Sequence, residues 1–131
     1  MSETTAPKTS KAPKPDKAAQ ELQAVQDKIA SFPEPYRTIA GQIHAAVLAA
    51  GPKLKPRLWY GMPGYATGRT APVLVFFRVD GETVSFGLSE KGRVDREPGA
   101  EHTLRPSAWF INEFNDATAV KIGELVRMAF G

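Results

Sequence analysis

The sequence predicts an α+β domain, an antiparallel sheet packed against two N-terminal helices and one C-terminal helix. Apolar residues recur at helical spacing between Leu22 and Ala50, and again between Ile122 and Ala129. Between these stretches, residues 58–88 are rich in aromatic and β-branched side chains and are broken by Gly, Pro and Asp turn signals. The length of 131 residues fits one domain, large enough to bury a core without cross-links.

Met1 to about Ala18 is Lys, Pro, Ala, Thr and Ser with no large apolar residue beyond the initiator. Such a segment cannot offset its ordering entropy and is expected to be a disordered tail, leaving residues 19–131 as the domain. Leu22, Val25, Ile29 and Phe32 then share one face of a short helix. Ser31-Phe32-Pro33-Glu34 reads as a capping box opening a second helix. Its apolar stripe runs through Tyr36, Ile39, Ala40, Ile43, Val47 and Ala50 to the stop at Gly51-Pro52. His44 borders that stripe and is read as a flank residue.

Strands are expected from Leu58 to Tyr60 and from Tyr65 to Thr67, with Met62 extended because Pro63 follows it. Val73-Leu74-Val75-Phe76-Phe77 is a continuous apolar run, expected to be a central strand covered on both faces. Asp80-Gly81 marks a two-residue hairpin, after which Val84, Phe86 and Leu88 alternate with Thr83, Ser85 and Gly87. Lys91 to Glu101 is a polar loop, and residues 102–110 hold a short extended piece ending at Trp109. Asn115-Asp116 caps the last helix, whose inner face is Ile122, Leu125, Val126 and Ala129.

Composition narrows the function. The absence of cysteine excludes disulfides, thiolate metal sites and Cys nucleophiles. No apolar run is long enough to span a bilayer, and no leader pattern opens the chain, so a cytoplasmic location with no membrane partner is expected. Of the net charge of +3, the first 18 residues carry +2 through Lys8, Lys11, Lys14 and Lys17 against Glu3 and Asp16. The remainder is nearly neutral, which argues against a nucleic-acid groove. The tail reads as solubilising, with a weak electrostatic arm as the other reading.

Leu58-Trp59-Tyr60-Gly61-Met62-Pro63-Gly64-Tyr65 concentrates three aromatic rings around Gly and Pro. In one reading Trp59 and Met62 fill the space between sheet and helices, and each buried side chain contributes about 1.5–3 kcal/mol. In the other, a bend at Gly61-Met62-Pro63 opens an apolar cleft. Trp59, Tyr60, Met62, Pro63, Tyr65 and Trp109 would then hold a small molecule or a protein segment.

With these residues, the chain resembles the YdhG-like family of domains of unknown function. Trp59, Gly61-Met62-Pro63 and Tyr65 carry the resemblance, with Phe76-Phe77, Phe86-Gly87-Leu88 and the helix pair around Phe32-Pro33. It covers roughly residues 20–130, with a looser fit over Ala119 to Met128. The resemblance implies a small α+β fold. One branch of that family is described as a frataxin-like iron chaperone, which makes iron handling the alternative function.

A frataxin-like site would need an acidic ridge on the first helix, where this chain offers Glu21 and Asp27 beside Lys17 and Lys28. No cofactor or metal ligand set is expected from the residues themselves. No nucleophile elbow, phosphate loop, dinucleotide fingerprint or His-Glu-x-x-His occurs, so the expected role is binding without catalysis. Gly92-Arg93-Val94-Asp95-Arg96 reads as a loop of alternating charge, with an anion clamp as the other reading. A third functional reading is a protein-interaction domain, either a monomer or a weak homodimer through a sheet edge.

Overall fold

The computed structural model describes residues 16–92 and 94–130, and it is α+β with three helices and a five-stranded antiparallel sheet. Residues 1–15 of the expected tail, and Arg93 of the charged loop, lie outside the described residues. The first helix takes in Lys17 and Ala18, which the apolar pattern leaves to the tail. The Asp16 carboxylate accepts the Ala19 N–H at 2.8 Å and caps helix α1, Lys17–Ala30.

Ser31 does not open a capping box. It closes α1, its hydroxyl donating to the Lys28 carbonyl at 2.6 Å. Glu34 instead serves the start of helix α2, Tyr36–Ala50. Its carboxylate accepts from the Thr38 hydroxyl at 2.7 Å and the Thr38 N–H at 3.2 Å, and the Arg37 guanidinium lies 3.1 Å away. These partners, the Thr38 hydroxyl foremost, hold the Glu34 carboxyl below its ordinary range.

The strands are β1 (Lys55–Trp59), β2 (Met62–Ala66), β3 (Val75–Asp80), β4 (Thr83–Leu88) and β5 (Ala108–Ile111). They pair in chain order, leaving β1 and β5 as the two edges. Trp59 pairs with Met62, so the β1–β2 turn is Tyr60-Gly61 and not the expected Gly-Met-Pro bend. Both turn residues have positive φ, 53° and 76°, the signature of a type I′ hairpin whose twist matches the strands. Asp80 pairs with Thr83, which moves the next turn one residue along to Gly81-Glu82.

Helix α3, Asp116–Phe130, begins where Asn115 accepts from the Thr118 N–H at 2.8 Å. α1 packs on β1 and β2, α2 reaches β3 and β4, and α3 packs on α2. The core between the layers holds Ile43, Val47, Phe77, Phe86 and Val126. Val94 joins it from the loop after β4. All three helices contribute to this one core, so the helices cover one face of the sheet.

The central strand β3 is therefore not covered on both faces. Val75 and Phe77 are buried under helices, whereas Phe76 is half-buried and Arg78 exposed on the opposite face. The continuous apolar run arises because Phe76 is part of a second, thinner cluster. Phe76 lies against Trp59 with ring centroids 5.0 Å apart. A Cβ at Gly87 would come within 3.0 Å of the Phe76 ring, and one at Gly64 within 3.0 Å of Val73 and 3.2 Å of Trp59. The open face is thus sealed by its own aromatics lying over glycines.

Candidate functional site

Strand alternation decides where the six aromatic and apolar candidates go. Trp59 and Met62 are cross-strand partners, half-buried on the helix-free face, with Tyr60 at the turn beside them. Tyr60 is 84% exposed and meets Trp59 edge-on, with ring centroids 4.8 Å apart. Pro63 and Tyr65 belong to the opposite parity and are buried. Trp109 stands on β5, at the far edge of the sheet. The block therefore forms an aromatic ledge on one face and a core anchor on the other, and Trp109 is remote from both.

Tyr65 is wholly buried, stacked near Phe77 with ring centroids 6.2 Å apart. Its hydroxyl pairs with His44 Nδ1 at 2.6 Å. Burial pushes the Tyr65 hydroxyl far above its ordinary value and lowers His44, so both are held neutral. His44 is thus the partner that lets a buried tyrosine satisfy its hydroxyl. The sequence places His44 on the margin of an apolar stripe, and reading it there as a flank residue missed that it partners Tyr65.

Trp109 lines a real cleft. A hollow of about 400 Å³ lies between β5 and α3, with Phe86, Trp109, Ile111, Thr118, Ile122 and Leu125 among its walls. A neighbouring hollow of about 690 Å³ shares Trp109, Lys121 and Leu125 with it, and extends under Val94 and Pro98. The cause is the placement of α3, which packs on α2 and leaves its outer flank standing beside the last strand. Trp109 is steadied from below by Phe86, with ring centroids 6.4 Å apart.

The polar groups gather at the two ends of the cleft, with Asp95, Arg96 and Glu97 lining the larger hollow. Asn112, Glu113 and Asn115 stand at the end where β5 runs into α3. Lys121 looks into both hollows, and its nearest acid, Glu124, is 3.8 Å away with both side chains more than half exposed. A contact of that kind contributes little and leaves the ammonium free to meet another anion. A cleft with an apolar floor of Trp109, Ile122 and Leu125 and charged ends suits a ligand with one apolar face.

Elsewhere, Arg96 donates to the His102 carbonyl at 2.6 Å, which ties the charged loop to itself. Among the described residues, no group of three or more His, Asp or Glu side chains is placed to hold a metal ion. Among them too, no helix is long and apolar enough to cross a membrane. No protein-family model, curated protein or solved structure matches the chain.

Proposed function

We propose that this chain is a binding module whose site is the Trp109 cleft, taking an apolar or aromatic ligand group against Trp109, Ile122 and Leu125. The observation that supports this is the pair of adjoining hollows sharing Trp109, Lys121 and Leu125 along one flank of α3. A half-buried indole walling an apolar cleft presents a large flat surface whose burial is favourable. The Trp59–Tyr60 ledge is a weaker candidate, because its rings already pack on each other and on Phe76. The YdhG-like assignment of the fold stays part of this proposal, resting on the Trp59, Gly61-Met62-Pro63 and Tyr65 element.

Indole and 1-butanol, titrated into ¹⁵N-labelled protein, test the reading. Amide shifts are expected to cluster at Trp109, Lys121, Ile122 and Leu125 and to saturate. Shifts clustered at Trp59, Met62 and Phe76, or no saturable shift anywhere, would overturn it.

A further inference from the structure

The helix-free face of the sheet carries groups that packing alone does not use. Register lines them up in two rows. Arg57, Gly64, Phe76, Gly87 and Ala108 stand opposite one another across all five strands. In the next row Trp59 pairs with Met62, Arg78 with Ser85, and Ser85 with Phe110. Trp59 and Phe76 are half-buried against each other, which fixes those two rings in place. Tyr60 at the β1–β2 turn and Phe110 on β5 are 84% and 71% exposed, so most of their ring surface is bare.

Ser85 is the anomaly of this face. It is 8% exposed, and among the described residues nothing partners its hydroxyl. A hydroxyl left unpaired at that depth costs stability and is uncommon in folded proteins. Its cross-strand neighbours are Arg78 and Phe110, so a group reaching its Oγ passes between a guanidinium and a ring. Arg78 has Asp80 at 3.3 Å with both side chains more than half exposed, a pair that contributes little and gives way readily.

The folded part is nearly neutral in sum, but its charge is sorted. By strand alternation the sheet directs Lys55, Arg57 and Arg78 to this face, against Asp80 alone. Asp80 stands at one end, beside Glu82 of the β3–β4 turn. Arg57 donates to the carbonyls of Gly68, Arg69 and Ala71 at 3.1, 2.9 and 2.6 Å. These neutral acceptors hold the guanidinium without cancelling its charge.

We infer that this face is a platform for single-stranded nucleic acid, separate from the Trp109 cleft on the other side of the sheet. Bases stack on Phe110 and Tyr60, with Phe76 and Trp59 as the floor between them. A phosphate oxygen accepts from the Arg78 guanidinium and the Ser85 hydroxyl. From β1 to β5 the row spans about 19 Å at the usual strand spacing, length for the two or three bases that an open sheet stacks.

The face favours this occupant over others. A peptide joining a sheet needs free backbone groups, and in mid-sheet these are spent on the ladder. A lipid surface would bury Arg78 and Ser85 among the rings. A second copy laid face to face would bring like charges together. Unpaired nucleotides alternate flat rings with negative phosphates, as the face alternates rings with cations.

The test titrates the full chain, at about 50 mM salt, into fluorescein-labelled oligouridine, oligothymidine and a DNA duplex, each about twelve nucleotides per strand, and reads anisotropy. Saturable binding to oligouridine, oligothymidine or both is expected, with little to the duplex. The log–log salt slope should be about −2, the value for about three neutralised phosphates on a single strand. In ¹⁵N-labelled protein the shifts should fall at Phe76, Arg78, Ser85 and Phe110. Phe110→Ala should weaken binding about fivefold or more, and Arg78→Glu about tenfold. Both side chains are exposed, so both variants should fold. Ser85→Ala separates a ligand partner from a structural one. Affinity should fall several-fold while the urea midpoint holds or rises, because an unpaired hydroxyl is removed.

Four results would each overturn the assignment: no binding to either single strand, duplex binding as tight as theirs, wild-type affinity in both Phe110→Ala and Arg78→Glu, or a lowered midpoint with unchanged affinity in Ser85→Ala. Binding to phosphatidylserine vesicles and to neither oligomer would give the face to a membrane and overturn it as well.

Discussion

His44 and Tyr65 are a buried pair whose protonation is fixed by their surroundings. Burial lowers His44 from its ordinary value near 6.5. The unfolded chain therefore binds a proton at His44 more readily than the native protein, and stability rises with pH through that window. The contribution is complete above about pH 6.5 and is lost as the pH falls toward the lower, folded value. Urea midpoints measured from pH 5 to 8 should show this rise, and His44→Phe should flatten it. Tyr65→Phe leaves Nδ1 without its 2.6 Å partner, and a loss of about 0.5–1.5 kcal/mol is expected at pH 7.5. At the hairpin, Gly61 holds φ at 76°, where a side chain is strained. Gly61→Ala should lower stability by about 1 kcal/mol or more in the same denaturation assay. Tyr60 accepts the same left-handed region at φ 53° and is compensated by its contact with Trp59.

At the scale of elements, most of the fold is legible in the sequence because each element carries its own period. The stripes from Ile39 to Val47 and from Ile122 to Ala129 are the buried faces of α2 and α3, as helical spacing predicts. Val84, Phe86 and Leu88 share one parity of β4 and are buried, but Ser85 and Gly87 on the other face are buried too, so the single buried face that the alternation predicts does not hold. What the sequence hides is which residue of a crowded block starts the turn. Trp59, Tyr60, Met62 and Tyr65 look like one aromatic cluster along the chain, but a turn at Tyr60-Gly61 sends Trp59 and Met62 to one face and Tyr65 to the other. A shift of one residue flips every side chain, so the composition of the block gives the aromatic content without its destination. The elements also meet at tight places. A Cβ at Gly92 would come within 2.8 Å of the Leu74 carbonyl oxygen, a backbone atom that cannot swing aside. Gly92→Ala should therefore cost about 1–3 kcal/mol. Gly87→Ala, which meets the half-buried Phe76 ring at 3.0 Å, should be milder in a side-by-side thermal melt.

For the whole molecule, one offset organises the rest. Three helices covering one face of a five-stranded sheet would close over it completely, but α3 packs on α2 and leaves a trough beside β5. The helix-free face needs no cover, because Trp59 and Phe76 seal it over Gly64 and Gly87. The open apolar surface is thus concentrated at one edge, around Trp109, with Phe110 exposed beside it. This placement is not legible in the sequence. In the sequence Trp109 stands beside Phe110 at the end of a short extended piece, far along the chain from the other candidates, and only the pairing of β5 with β4 and the lie of α3 make it the wall of a cleft. The chain has two tryptophans, Trp59 on the sealed face and Trp109 in the cleft, so fluorescence separates them. The measurement that tests the cleft most directly is quenching by 4-bromophenol in two variants, Trp59→Phe and Trp109→Phe. Saturable quenching is predicted when Trp109 is the reporter, and a merely linear, collisional response when Trp59 is. Saturation seen with Trp59 alone, or with neither, would contradict the account.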